Sequence, residues 1–335
     1  MRVRLSILDL APIGRGQSAG ESFAASVALA QLAESLGYER VWYAEHHNMA
    51  TIASSATSVL ISHIGARTSS IRLGAGGVML PNHSPLLIAE QFGTLAALYP
   101  GRIDLGLGRA PGSDQATMYA LRRSPSSADT FPQDVVELQG YLSGQSRIPG
   151  VDAIPGKGSN VPLYLLGSSL FGARLAAALG LPFAFASHFA PASLDAAIAA
   201  YRSEFRPSGQ LTSPYVIAGV NVIAADSAGA AHDQLQAMRR LRAVSLFARG
   251  HRGLAPEEVT DAQADELLAA GAAQHVDQML TYAAVGTTSQ VSDYLDGFLA
   301  HTRADELIVA HQAPTVEGRL RSVTLLAEAM QPLAA

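Results

Sequence analysis

The 335-residue chain contains no cysteine. Disulfides, thiolate catalysis, cysteine-ligated zinc and iron–sulfur clusters are therefore excluded. Charge is sparse: Asp, Glu, Lys and Arg make up 15% of residues, and the formal net charge is −5. No arginine or lysine stripe marks a nucleic-acid partner. Lys157 is the single lysine, while alanine is abundant, a pattern of GC-rich codon usage that carries no function by itself. No apolar run reaches the ~18 residues of a membrane span. Residues 1–7 enter a strand-like stretch without a signal-peptide layout. The expectation is a cytoplasmic protein with neither nucleic acid nor membrane as a partner.

What the chain has in quantity is apolar residue, 48% of the total, enough for one large core. Strand-like runs lie at 5–10, 40–44, 71–80, 103–107, 163–166, 183–186, 215–224 and 306–310. Helix-like segments lie at 22–36, 53–68, 86–98, 133–142, 172–179, 192–204, 228–240, 291–299 and 318–330. Strands alternating with helices of this length read as parallel βαβ units. Eight such units predict a single α/β domain over 1–335, a (β/α)8 barrel with long loops at the C-terminal face of its strands. A doubly wound open sheet is the alternative. Two stretches, 110–133 and 245–278, exceed normal connection lengths. Long connections are often functional covers, and 245–278 is read as a mobile active-site segment or an ordinary external insertion.

Three strand-like runs end in polar residues. Val41-Trp42-Tyr43-Ala44 ends in Glu45-His46-His47. Alternation sends neighbouring side chains of an extended strand to opposite faces, so His46 and His47 do not share a metal ion, and no His-x-His pair occurs elsewhere. No metal is expected. One imidazole faces the cavity as base or donor and the other is oriented by its neighbours, with Glu45 as the orienting carboxylate or an arginine partner. In 71–80, Gly74, Gly76 and Gly77 weaken a strand, which points to a close ligand, a close backbone or a bulge. Gly106-Leu107-Gly108-Arg109 puts an arginine at a strand end, suited to an anion. Gly167-Ser168-Ser169 runs into a helix and offers N–H groups and hydroxyls to a phosphate, or a plain helix cap. His188 and His311 follow the last residues of two more strands and are candidates to face the cavity toward substrate.

Together, 42–47, 74–85, 100–112 and 167–191 resemble the bacterial luciferase-like flavin monooxygenase family, and the resemblance spans nearly the whole chain. It implies a TIM barrel that binds reduced FMN at the C-terminal ends of its strands, and a homodimer. By position, His46 matches the histidine acting near the flavin C4a atom and His47 its essential neighbour. Gly76-Gly77 falls where the family often has a cis peptide, Arg109 matches its phosphate arginine, and Ser168 and Ser169 match its phosphate loop. The implied activity is transfer of one oxygen atom from O2 to a small organic substrate through a C4a-hydroperoxyflavin. A separate NAD(P)H:flavin reductase would supply the reduced FMN. A role in secondary metabolism is compatible with the composition. Two departures stand out: Gly108 replaces luciferase's reactive cysteine, which puts light emission in doubt, and Pro111 has no N–H to offer a phosphate, leaving Gly112 to substitute. Alternatives on the same fold are deazaflavin-dependent hydride transfer and a non-catalytic flavin-binding subunit; a metal-dependent barrel hydrolase is a third.

Overall fold

Each of the eight apolar runs forms a strand, and a ninth strand joins them. The computed structural model describes residues 3–110, 114–250 and 259–330. The strands are β1 (Arg4–Asp9), β2 (Arg40–Tyr43), β3 (Arg72–Met79), β4 (Ile103–Gly108), β5 (Leu163–Gly167), β6 (Phe183–Phe185), β7 (Val216–Ala224), β8 (Ala283–Gly286) and β9 (Glu306–His311). The helices are α1 (Ala19–Ser35), α2 (Thr57–Gly65), α3 (Pro85–Leu98), α4 (Gln115–Ala120), α5 (Phe131–Ser143), α6 (Leu170–Leu179), α7 (Leu194–Glu204), α8 (Ala228–Gly250), α9 (Asp261–Leu267), α10 (Ala273–Met279), α11 (Thr288–Thr302) and α12 (Val316–Ala329).

All strand pairings are parallel. The order β6-β5-β4-β3-β2-β1-β9-β7 closes through a β6–β7 pairing into the eight-stranded barrel, and the open sheet is ruled out. The sequence pattern does not predict the ninth strand. Ala283–Gly286 is short and mostly alanine, so it carries little strand signal. It forms because β6 pairs only with Val216–Ala218 of the longer β7, and β8 takes Asn221–Ala224. Thus β8 extends β7 without entering the barrel.

Alternation divides the core. Leu8, Trp42, Ala44, Tyr164, Ala184, Ile217 and Ile308 fill the barrel. Residues of opposite parity, such as Ile7, Val41, Leu73, Leu105 and Val309, pack outward into the larger cluster under the helices. The helices start at local signals. Ser18 and Glu21 form a capping box on α1, Thr287 and Gln290 another on α11, and Pro85 stands in the first turn of α3. The same signals build α4 and α9 inside the long connections, where Asp114 and Thr260 are the caps.

Candidate active site

The polar groups gather at the C-terminal ends of the strands. In β2, Arg40, Trp42 and Ala44 face inward, and the chain then leaves the strand through Glu45. The loop that follows is held by the loop after β1, where Ala53 N–H donates to Ala11 O (2.9 Å) and Ile13 N–H to Thr51 O (2.9 Å), and it folds back on itself where His46 N–H donates to Ser54 O (3.0 Å).

Glu45 is buried, at 1% exposure. Its Oε2 accepts from Met79 N–H at 3.2 Å, and its Oε1 lies 2.9 Å from His47 Nε2 and 2.8 Å from His83 Nε2. Burial alone would raise its pKa, but the two imidazoles and the Met79 N–H outweigh burial and hold the carboxyl below its usual range. The hydrogen bond to Glu45 raises the His47 pKa against burial. Glu45 therefore pairs with imidazoles and not with an arginine. His83 is the member that sequence reasoning missed. It stands at the end of the third strand, and the parallel pairing of β2 with β3 brings it to Glu45.

This trio also bears on metals. The ligand atoms of Glu45, His47 and His83 all lie within 4.8 Å of one another, a donor set that could hold a divalent cation. The divergence of His46 and His47 stands, yet His83 supplies the second imidazole that the expectation of no metal did not consider. Both Nε2 atoms reach the same oxygen at hydrogen-bond distance, so the carboxylate is satisfied without an ion.

His46 is not part of this trio. It acts electrostatically on His188, which follows β6, so the two imidazoles share one neighbourhood at the barrel mouth. The His188 ring is half-buried, and its Nδ1 is fully buried without a hydrogen-bond partner. Burial, then Arg242 and His46, lower its pKa to about 3, and the ring is neutral. His311 does not face the cavity. Glu306, Ile308 and Ala310 take the inward positions of β9, so His311 faces outward against α12. Its Nδ1 lies 2.9 Å from Ser322 Oγ, and burial followed by Arg319 lowers its pKa to about 3. The parity of one strand overturns its assignment to substrate.

The Gly76–Gly77 peptide is cis. At this point the β3–β4 register shifts, and the backbones meet. A Cβ on Gly77 would lie 2.7 Å from Gly106 O, and one on Gly106 would lie 2.2 Å from Ala75 O. A Cβ on Gly76 would meet Leu8 and Trp42. Close protein packing thus already requires these glycines, whatever ring lies above them. Gly108 is more open, with only Met79 Sδ nearer than 3.5 Å to its Cβ position.

Arg109 extends from β4 over the Phe171 ring, 4.2 Å from its centroid. That stacking carries the guanidinium to the first turn of α6, next to Gly167, Ser168 and Ser169. Ser169 occupies the N-cap position in extended conformation but makes no side-chain cap bond. The plain-cap reading therefore fails for this hydroxyl, and the first N–H groups of α6 remain available. Pro111 and Gly112 lie outside the described residues.

Residues 251–258 of the long segment also lie outside them. Its described return crosses to the loop after β1, where Arg15 NH2 donates to Val259 O at 2.6 Å and Arg15 NH1 lies 3.6 Å from Asp261. Among the described residues, no helix is long and apolar enough to cross a membrane.

A family model described as luciferase-like monooxygenase matches residues 3–306. A protein of Escherichia coli K12 described as a luciferase-like monooxygenase is 50% identical over 332 residues, 99% of this chain and 98% of that protein. The crystal structure of apo-MsnO8 superposes with a TM-score of 0.83 at 36% identity, covering 98% of each chain. The FMN complex of a type II Baeyer–Villiger monooxygenase, the oxygenating constituent of 3,6-diketocamphane monooxygenase from Pseudomonas putida, has a TM-score of 0.70 at 16% identity, covering 98% of this chain and 97% of that one. An F420-dependent secondary alcohol dehydrogenase has a TM-score of 0.72 at 16% identity, covering 99% and 100%. At that identity the last two share the fold alone.

Proposed function

The chain belongs to the luciferase-like monooxygenase family, and on that premise we propose that it is an FMN-dependent monooxygenase. It transfers one oxygen atom from O2 to a small organic substrate, with reduced FMN delivered by a separate NAD(P)H:flavin reductase. The observation that carries the cofactor reading is Arg109 stacked on Phe171 beside the uncapped first turn of α6. A cation, free helix N–H groups and the hydroxyls of Ser168 and Ser169 form a donor set that fits a phosphate dianion. Gly76 and Gly77, at the β3 shift, border the space for the ring.

Bound in its reduced form, FMN supplies the electrons that activate O2. The chain's own residues position, protect and move protons. His46 holds or returns a proton at its mouth-facing imidazole nitrogen. Glu45 fixes His47, which keeps the end of β2 in one arrangement. Residues 259–278 help exclude water from the mouth. We place the enzyme in the cytoplasm as a homodimer.

The test is turnover with free reduced FMN under 18O2. The expected product carries one labelled oxygen atom. An active enzyme that gives unlabelled product, or that accepts reduced deazaflavin and not FMN, would overturn the proposal.

A further inference from the structure

Arg242 stands on α8 at the mouth without a counter-ion among the described residues. Its helix neighbours are paired: Arg239 lies 2.9 Å from Asp277 and Arg240 2.7 Å from Asp265. Arg242 makes no ion pair among the described residues. Its NH2 makes one long hydrogen bond, 3.4 Å, to Asn221 Oδ1. Its NH1 is buried and has no partner. Burial alone acts on its pKa and lowers it to about 10, so the guanidinium stays charged at neutral pH. An unpaired buried charge is costly unless something on the molecule or bound to it compensates.

The neighbours of Arg242 locate the missing partner. Asn221 shares the inward parity of Ile217 and Gly219 on β7, and its Nδ2 donates to His188 O at 2.6 Å. His188 lies across Gly219, where a Cβ would come within 2.4 Å of Nδ1. Only glycine lets the ring sit there. His188 in turn feels His46. The cluster therefore lies beside His46, at the end of β7 and two strands beyond the proposed phosphate site at β4 and β5.

We propose that Arg242, supported by Asn221 and His188, binds a carboxylate of the substrate, so that this enzyme acts on organic acids. The guanidinium carries the charge and the planar fork that suit the two oxygens of a carboxylate, and His188 and Asn221 fix its surroundings. The anion end then lies at β7, and the rest of the molecule reaches toward His46. This substrate class rests on the monooxygenase reading, but its test does not use turnover.

The protein, with and without oxidised FMN, is titrated calorimetrically with three acids and their amides: benzoate and benzamide, octanoate and octanamide, N-acetylmethionine and N-acetylmethioninamide. The expected result is that at least one acid binds about tenfold or more tightly than its amide. The Arg242→Gln variant is expected to lose that preference while its FMN affinity stays unchanged. Arg242→Lys keeps the charge without the fork, and its preference must fall as well; this variant decides the matter if the first does not fold. The proposal is overturned if no acid is preferred over its amide by the native protein, or if the preference survives in the folded variants. Failure of FMN binding or of 18O incorporation would instead remove the monooxygenase reading and leave the acid preference standing.

Discussion

The two ends of this barrel bury charge in opposite ways. At the N-terminal end, Arg40 is 3% exposed, and Asp104 and Glu306 are fully buried. Arg40 Nε lies 2.8 Å from Glu306, and its NH1 lies 2.6 Å from Asp104 and 2.9 Å from Tyr164 Oη. Trp42 Nε1 and Arg72 also donate to Asp104, and Tyr215 Oη to Glu306. Burial opposes the charge on Arg40, but Glu306 and Asp104 outweigh it and raise its pKa. At the C-terminal end, His188 Nδ1 and Arg242 NH1 are buried without partners. One end is closed by its own complement of ions; the other satisfies Glu45 but leaves these two atoms without a partner among the described residues. Polar satisfaction thus separates the end that holds the fold from the end that carries the candidate site.

Substitutions at the two ends break this contrast differently. The largest stability loss is expected for Asp104→Ala, which leaves Arg40 and Arg72 short of a buried partner, at about 3–5 kcal/mol in denaturant unfolding. A loss below about 1 kcal/mol would mean that the N-terminal network is not structural. His46→Ala should do the reverse. Turnover should fall about a hundredfold or more, while unfolding and FMN affinity stay near those of the native protein. A variant with full turnover would remove His46 from the reaction.

Arg109→Ala sharpens the division within the mouth. It should weaken FMN about tenfold or more and riboflavin hardly at all, because only FMN carries the phosphate; equal losses in parallel titrations would contradict the phosphate role. The contrast also has a pH dependence. His188 and His311 have folded pKa values of about 3, so the unfolded chain takes up their protons in the window from about 6.5 down to about 3. Stability from this source is complete above that window and falls by about 1.4 kcal/mol per pH unit for each histidine as pH drops through it. Replacing either one with Gln should halve this share of the slope in acid unfolding curves.

Much of the site was legible before folding. Glu45-His46-His47, Gly76-Gly77, Arg109 and the Ser168–Ser169 turn all sit at ends of apolar runs, and strand ends are recognisable locally. His83 stood at another such end, yet its role depends on β2 lying beside β3. Arg242 carried no signal at all, since an arginine in an amphipathic helix is ordinary until its partners are known. His311 was misassigned because the reading located the strand without fixing which of its residues face inward. The glycines of β3 suggested a ligand, but the approach of β4 already requires them.

The order of strands and helices, their caps, the lack of any thiol chemistry and the polar residues at the strand ends followed from the sequence itself, because each depends on neighbours only a few positions apart. Tertiary structure decided the rest: the ninth strand on β7, the clamp of His47 and His83 on Glu45, the outward turn of His311 and the charge of Arg242, unpaired among the described residues. Those outcomes depend on register and burial, which arise only when segments distant in the chain share one interior.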